Sequence, residues 1–191
     1  MLKNKYWLFN SALSSNICDD IIKLGEQNLN KADTFNNNEN KRDSHISWIN
    51  EKWLFDLLQE YVKVANKHAG WNFEWDYTEP LQYTTYKSNQ HYDWHCDGGI
   101  DTLSAYNGDL KPLVGKVRKL SVSVSLSSDY EGGDFMFDYG PYSDERYFTC
   151  KDLKSLGTIL VFPSFLYHKV NKVTKGVRKS LVMWNCGGPF K

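Results

Sequence analysis

The sequence predicts a mainly β fold, an antiparallel double-sheet roll with helices packed outside it. Three observations lead there. Two helical stripes occupy the first 72 residues, the hydrophobic period then changes from helical to alternating, and at least seven short strand-like runs follow. Aromatic residues are 15% and hydrophobic residues 41% of the 191, enough for a real core and a walled pocket and incompatible with disorder. The length and the lack of any linker or repeat are read as a single domain over 1–191, with supporting helices in 1–72 and the sheet core in 80–186.

Ser14-Ser15-Asn16 offers helix caps, and Ile17, Ile21, Ile22, Leu24 and Leu29 form an approximate helical stripe behind them. The Asn-rich stretch 35–44 reads as a solvated connector. A second helix is expected from Asn50 to His68, where Trp53, Leu54, Leu57, Leu58, Tyr61, Val62 and Ala65 recur at three- and four-residue steps, closed by Gly70-Trp71. Strands are expected at 80–86 and 90–97. Leu120-Ser-Val-Ser-Val-Ser-Leu-Ser127 alternates throughout, which predicts a strand with one buried face. Further strands are read at 134–138 behind Gly132-Gly133, at 157–163 up to Pro163, and at 166–171 and 177–185 around a turn at 173–176.

Charge is balanced, with 23 Lys+Arg against 23 Asp+Glu, which argues against a nucleic-acid or anionic-membrane partner. Cys18, Cys96, Cys150 and Cys186 lie far apart without a CxxC pair and read as reduced thiols of a cytoplasmic chain. The apolar run near the start is too short for a signal-peptide core, and no stretch approaches a membrane span.

The chemistry concentrates in Tyr86-Lys-Ser-Asn-Gln-His-Tyr-Asp-Trp-His-Cys-Asp-Gly-Gly99, which holds two His-x-Asp pairs, His91/Asp93 and His95/Asp97. Residues two apart on a strand share a face, so either pair could offer an imidazole and a carboxylate to one ion. A distant His would complete a two-His, one-carboxylate facial triad, which suits non-haem Fe(II). Of the five His, His45 beside the polar loop and His68 at a helix end read as structural. His168, on an expected core strand, is the remaining candidate for that partner. Ten residues on, across a turn, Arg178 is placed to clamp a carboxylate such as the far end of 2-oxoglutarate.

Taken in order, Tyr86-x5-Tyr92-x2-His95-x-Asp97, Arg118-x2-Ser121, Glu131-Gly-Gly133, Gly157-x4-Phe162-Pro-Ser164, His168 and Arg178-x-Ser180-x3-Trp184 resemble the Fe(II)/2-oxoglutarate-dependent dioxygenases, in their prolyl 4-hydroxylase-like branch. The resemblance covers residues 80–186 strongly and the start loosely, through Trp7-x-Phe9 and Cys18-x2-Ile21-Ile22. It implies a double-stranded β-helix, a jelly roll of the cupin-like kind. It also sets the register: Tyr86 and Tyr92 stand nine and three residues before His95, as in the family, and do not fit His91. By that carry-over His95, Asp97 and His168 are the catalytic iron ligands, and His91 and Asp93 lie outside the ligand set. Arg178 would bind the distal carboxylate of 2-oxoglutarate and Tyr86 would hydrogen-bond it. Tyr92, Arg118 and Trp184 match positions lining the substrate groove.

The resemblance further implies Fe(II) as cofactor, 2-oxoglutarate and O2 as co-substrates, ascorbate as an optional reductant, and hydroxylation with release of succinate and CO2. A carboxylate at Asp97 favours hydroxylation over halogenation. Two departures are noted. Asn89 stands where relatives often carry Gly, and Arg178 replaces the Lys of collagen-type enzymes. The expected substrate is a peptidyl proline or another protein side chain, the alternatives being a free amino acid or small molecule, or a jelly-roll binding module without chemistry. The glycine-bearing loop 98–117 is a candidate lid. Oligomeric state is not legible.

Overall fold

The capping and periodic signals of the first third act as expected. In a computed structural model describing residues 2–32, 40–98 and 111–190, strand β1 (Trp7–Phe9) leads into helix α1 (Ser15–Gly25). The Ser14 hydroxyl accepts the Ile17 N–H at 3.4 Å and so satisfies one of the amides that a helix start leaves open. After β2 (Asn30–Lys31), β3 (Arg42–Asp43) and β4 (His45–Ile49), helix α2 runs over Lys52–His68. It turns off at Gly70, which adopts φ +75°.

The remaining strands are β5 (Tyr77–Thr78), β6 (Leu81–Tyr86), β7 (His91–His95), β8 (Val117–Ser125), β9 (Glu131–Gly132) and β10 (Phe135–Asp138). They continue with β11 (Tyr147–Thr149), β12 (Ile159–Pro163), β13 (Tyr167–Val170), β14 (Val173–Lys175) and β15 (Arg178–Gly187). Among the described residues a large antiparallel sheet runs β1-β12-β8-β15-β6-β4-β2, with β5 paired to β15, and a smaller one runs β11-β10-β13-β7-β3. β14 and β9 form a separate two-stranded sheet. Gly132 and Gly133 are required there. Both have positive φ, and a Cβ on Gly132 would stand 2.4 Å from the Lys172 carbonyl oxygen.

The two faces of the large sheet serve different layers. Cys18 and Ile21 of α1 and Leu54, Leu58 and Val62 of α2 pack on Leu81, Tyr83, Leu120, Val122, Val124 and Met183, forming the outer core. Each such fully buried aliphatic side chain contributes roughly 1.5–3 kcal/mol by leaving water. A second cluster, including Tyr86, Phe135, Phe137, Phe162 and Val170, fills the space between the sheets.

Three expectations need correction. The alternating segment 120–127 does not have a solvated serine face. Ser121, Ser123 and Ser125 are buried, because that face looks into the space between the sheets. Residues 42–43 of the supposed solvated connector are the edge strand β3, paired with β7, while 33–39 lie outside the described residues. The strands β1 and β4 went unread, since each is short and lacks a clean alternation. The candidate lid 98–117 falls mostly on residues 99–110, which lie outside the described residues.

Candidate active site

His95 ends β7, and His168 lies on β13 in direct cross-strand register with it. Their rings stand 4.2 Å apart, centroid to centroid. The chain then leaves the strand, and the backbone N–H groups of Asp97 and Gly98 both donate to the Ser164 carbonyl, at 2.9 and 3.0 Å. This turns the Asp97 carboxylate back onto both imidazoles, with oxygens 3.7 Å from His95 Nε2 and 3.6 Å from His168 Nε2. Those separations are too long for hydrogen bonds. They are the spacing of groups converging on a common centre, and one ligand atom from each residue lies within 4.8 Å of the others.

Each imidazole is held for that purpose. His95 Nδ1–H donates to the Asp93 carbonyl at 2.8 Å, and His168 Nδ1–H donates to the Leu166 carbonyl at 2.9 Å. A carbonyl only accepts, so both Nε2 lone pairs face the cluster. Burial, and then the neighbouring His168, holds His95 well below the ordinary histidine range. Burial alone would raise the Asp97 carboxyl. The facing His168 and His95, Arg118 and a hydrogen bond from Ser121 outweigh it and hold the group ionised. A neutral imidazole and an ionised carboxylate are the states in which these side chains bind a divalent cation.

A β-bulge explains why the cluster uses His95 and not His91. Three residues on β13, His168 to Val170, oppose four on β7, His95 back to Tyr92. Tyr92 and His95 therefore share the inner face, stacked at 3.5 Å and 12°. The same-face rule for residues two apart fails at this point. His91 faces β3 instead, its Nε2 at 3.1 Å from the Asn40 carbonyl, and the Asp93 side chain is exposed. Toward the cluster Asp93 offers its backbone carbonyl, while its N–H donates to the Lys41 carbonyl at 2.8 Å. Asn89 has φ +68°, so it takes the left-handed conformation that a Gly would otherwise supply.

The cluster opens into a cavity of about 460 Å3, and the residues expected to hold co-substrate or substrate lie on its wall: Tyr86, Tyr92, Arg118, Arg178 and Trp184 beside the three cluster residues. Arg178 is 3% exposed. It pairs in register with Tyr86, its guanidinium 5.5 Å from that ring, and donates to Ser180 Oγ at 3.0 Å. Among the described residues it has no carboxylate partner. A buried cation without an anion is costly, so the chemistry of this wall calls for an anionic ligand. The donor set thus fits a divalent metal, and the cation beyond it fits a dicarboxylate.

Sequence reading missed Glu79. It is 4% exposed and grips Arg118 in a bidentate pair, Nε to Oε1 at 2.6 Å and Nη2 to Oε2 at 2.8 Å. Arg118 also donates to the Asp97 carbonyl at 3.3 Å and lies 4.2 Å over the Trp184 ring. The Glu79-Pro80 step before β6 carried no periodic signal that would have exposed it. Arg42 was missed as well, being inside the supposed connector.

Residues 81–186 match the sequence profile of the 2OG-Fe(II) oxygenase superfamily. The chain belongs to that superfamily. Membership implies Fe(II), 2-oxoglutarate and O2 as the cofactor and co-substrates, consistent with the donor set above. A PKHD-type hydroxylase of Psychrobacter sp. (strain PRwf-1) is 30% identical over 107 residues, 55% of this chain and 37% of that protein. The chain spans between 37% and 44% of the length of the curated relatives it matches. Among solved structures, a prolyl-4-hydroxylase from Pseudomonas putida superposes with TM-score 0.69 at 16% identity, covering 96% of this chain and 92% of that one. A Trichoplax adhaerens prolyl hydroxylase in complex with a hypoxia inducible factor peptide fragment gives 0.69 at 16%, covering 96% and 84%. At such identities the likeness is one of fold, and the fold is the double-stranded β-helix that the resemblance implied, in agreement with the double-sheet roll read from the strands.

Proposed function

We propose that this chain is an Fe(II)- and 2-oxoglutarate-dependent dioxygenase that hydroxylates an unactivated C–H bond of a peptidyl side chain, proline foremost, releasing succinate and CO2. One observation carries the reading: the His95, Asp97, His168 cluster and the buried, carboxylate-free Arg178 open into the same cavity. In this reading the two Nε2 atoms and the Asp97 carboxylate hold Fe(II). Arg178 takes the distal carboxylate of 2-oxoglutarate and Tyr86 donates to the same molecule. Bound iron supplies the oxidising chemistry, with O2 as oxidant and 2-oxoglutarate as reductant.

The chain's own contribution is positional. The Asp93 and Leu166 carbonyls fix both imidazoles, and Ser164 fixes the Asp97 backbone. Phe135 stacks on His168 at 5.3 Å and Phe162 meets it edge-on at 4.9 Å, keeping water from that side. Tyr92, Arg118 and Trp184 line the side left for the primary substrate. The peptide held by the Trichoplax neighbour supports a peptide substrate. Residues 1–72 and 80–186 are read as one catalytic unit, since the helices cover the sheet that carries Arg178. The four cysteines are all unpaired, as a reducing cytoplasm would keep them. No helix among the described residues is long and apolar enough to cross a membrane.

The test has two parts. Anaerobic addition of Fe(II) and then 2-oxoglutarate should develop the weak visible charge-transfer band of such complexes. Succinate release should then depend on a proline-containing peptide. Release driven only by free amino acids would move the substrate class to small molecules. A folded, iron-loaded sample with no band would leave a binding module without chemistry.

A further inference from the structure

We infer that the primary substrate carries a carboxylate next to the residue that is oxidised, and that Arg42 recognises it. The inference rests on the hydroxylase reading above and names its substrate class.

The charges on the cavity wall lead to it. The charged side chains lining the cavity are Arg42, Glu79, Asp97, Arg118 and Arg178. Glu79 and Arg118 neutralise one another in their bidentate pair. Fe(II) with neutral histidines and Asp97 carries one net positive charge. The dianion of 2-oxoglutarate cancels it once Arg178 is counted. Among the described residues Arg42 is then the single charge in the loaded cavity with no anion assigned to it.

Its geometry is that of a held recognition group. β3 sets Arg42 opposite Tyr92, and the guanidinium lies 4.7 Å over that ring, which itself stacks on His95. Nε donates to Ser44 Oγ at 2.9 Å, and Nη2 donates across to Gln82 Oε1 of the facing sheet at 2.8 Å. These two bonds and the stacking fix the plane of the fork, so little rotamer freedom remains to be lost on binding. Nη1 has no acceptor and Arg42 has no carboxylate partner among the described residues. Neighbouring Asp43 is engaged elsewhere, accepting from Gln90 Nε2 at 2.8 Å. The free edge of Arg42 is thus one aromatic ring away from the cluster. That is within reach of a side chain one or two residues along an extended peptide, at about 3.5 Å per residue. Trp184 lines the same cavity with a buried Nε1–H that has no acceptor, a second donor available to such a group.

The experiment compares N-acetylated, C-amidated peptides that differ only in Glu or Gln beside the proline, together with free proline as the other source of a carboxylate. Binding is read under nitrogen with Fe(II) and 2-oxoglutarate present, by tryptophan fluorescence, and turnover is read by succinate release. The Glu peptide should bind more tightly than the Gln peptide, on the order of tenfold to a hundredfold, as a charge-assisted hydrogen bond allows. Arg42→Gln should erase that preference and Arg42→Glu should invert it, while Arg42→Lys keeps part of it. Each variant is checked for unchanged 2-oxoglutarate affinity and melting temperature. Equal binding of the two peptides by the wild type, or a preference that survives Arg42→Glu, overturns the inference. If free proline alone shows the Arg42-dependent preference, the carboxylate is an α-carboxylate and the adjacent-acid form is overturned. Glu-selective binding without succinate would refute the hydroxylase reading and leave Arg42 as the recognition group.

Discussion

His95 and His168 are cross-strand partners on β7 and β13, and the carbonyls two residues before each, Asp93 and Leu166, hold their Nδ1–H groups. The same local device, used twice on facing strands, aims both Nε2 atoms at the Asp97 carboxylate. Removing one imidazole leaves the proposed ligand set incomplete, whereas His91 is directed at Asn40 outside it. His95→Ala should therefore lose the iron–2-oxoglutarate band and all turnover. His91→Ala should keep both, within about a factor of five, as substitutions away from the reacting groups are worth under ~1 kcal/mol. Loss of the band in His91→Ala with retention in His95→Ala would reverse the assignment.

In its proposed role Arg178 would separate co-substrate binding from metal binding, because it is buried in the cavity wall and its hydrogen bond goes to Ser180, not to a cluster residue. Arg178→Ala should raise the 2-oxoglutarate concentration needed for half-maximal succinate release by about two orders of magnitude, the worth of a charge-assisted pair of ~3 kcal/mol. Fe(II) affinity in the absence of 2-oxoglutarate should change little. Arg178→Lys should recover part of the loss, since a point charge replaces a fork. Parallel loss of metal and co-substrate binding would point to collapse of the cavity instead.

The Glu79–Arg118 pair makes a different kind of prediction. Glu79 is buried and the Arg118 side chain is 12% exposed, so removing Glu79 takes the bidentate carboxylate from a largely enclosed guanidinium beside the Asp97 carbonyl. Glu79→Ala should cost about 3 kcal/mol of stability, the lower end of the penalty for breaking a buried pair, since Arg118 keeps its bond to the Asp97 carbonyl. The double substitution Glu79→Ala/Arg118→Ala should cost less than the sum of the singles. Urea unfolding of the four proteins measures the coupling. Additive losses would mean that the two groups act independently.

These sites also show what a linear sequence can carry. His95, Asp97, His168 and Arg178 were legible because motif order and strand period survive in one dimension. The bulge between Tyr92 and His95 was not, since an extra residue on one strand has meaning only against its partner. Without the register set by the tyrosines, His91 and His95 were equivalent. Glu79 and Arg42 escaped for a related reason. Their roles depend on partners 39 and 40 residues away in sequence, Arg118 and Gln82. The serine face of β8 read as solvated because hydroxyls alternating with valines look the same whether they face water or a polar cavity.

Gly25 sets local propensity against packing, and the distances decide the winner. It is the last residue of α1, in ordinary helical conformation, so alanine there would favour the helix by about 1 kcal/mol. A Cβ would meet Tyr83 Cγ at 2.2 Å and both Cδ atoms at 2.4 and 2.6 Å. Tyr83 has no exposed surface, sits centrally on β6, and its hydroxyl donates to Glu26 Oε1 at 3.3 Å. The rigid ring can neither swing away nor surrender that space cheaply, and the Gly25 carbonyl also accepts from Ser47 of β4 at 2.5 Å, which pins the helix end to the sheet. Overpacking of a filled core costs ~1–3 kcal/mol or more and exceeds the helical gain. Gly25→Ala should lower the urea midpoint at unchanged slope, while Gly25→Ala/Tyr83→Leu, which removes the ring, should lose less than Tyr83→Leu and Gly25→Ala combined. A Gly25→Ala protein as stable as the wild type would show that α1 can slide on the sheet, and that the helix does not hold β6 in place behind Tyr86.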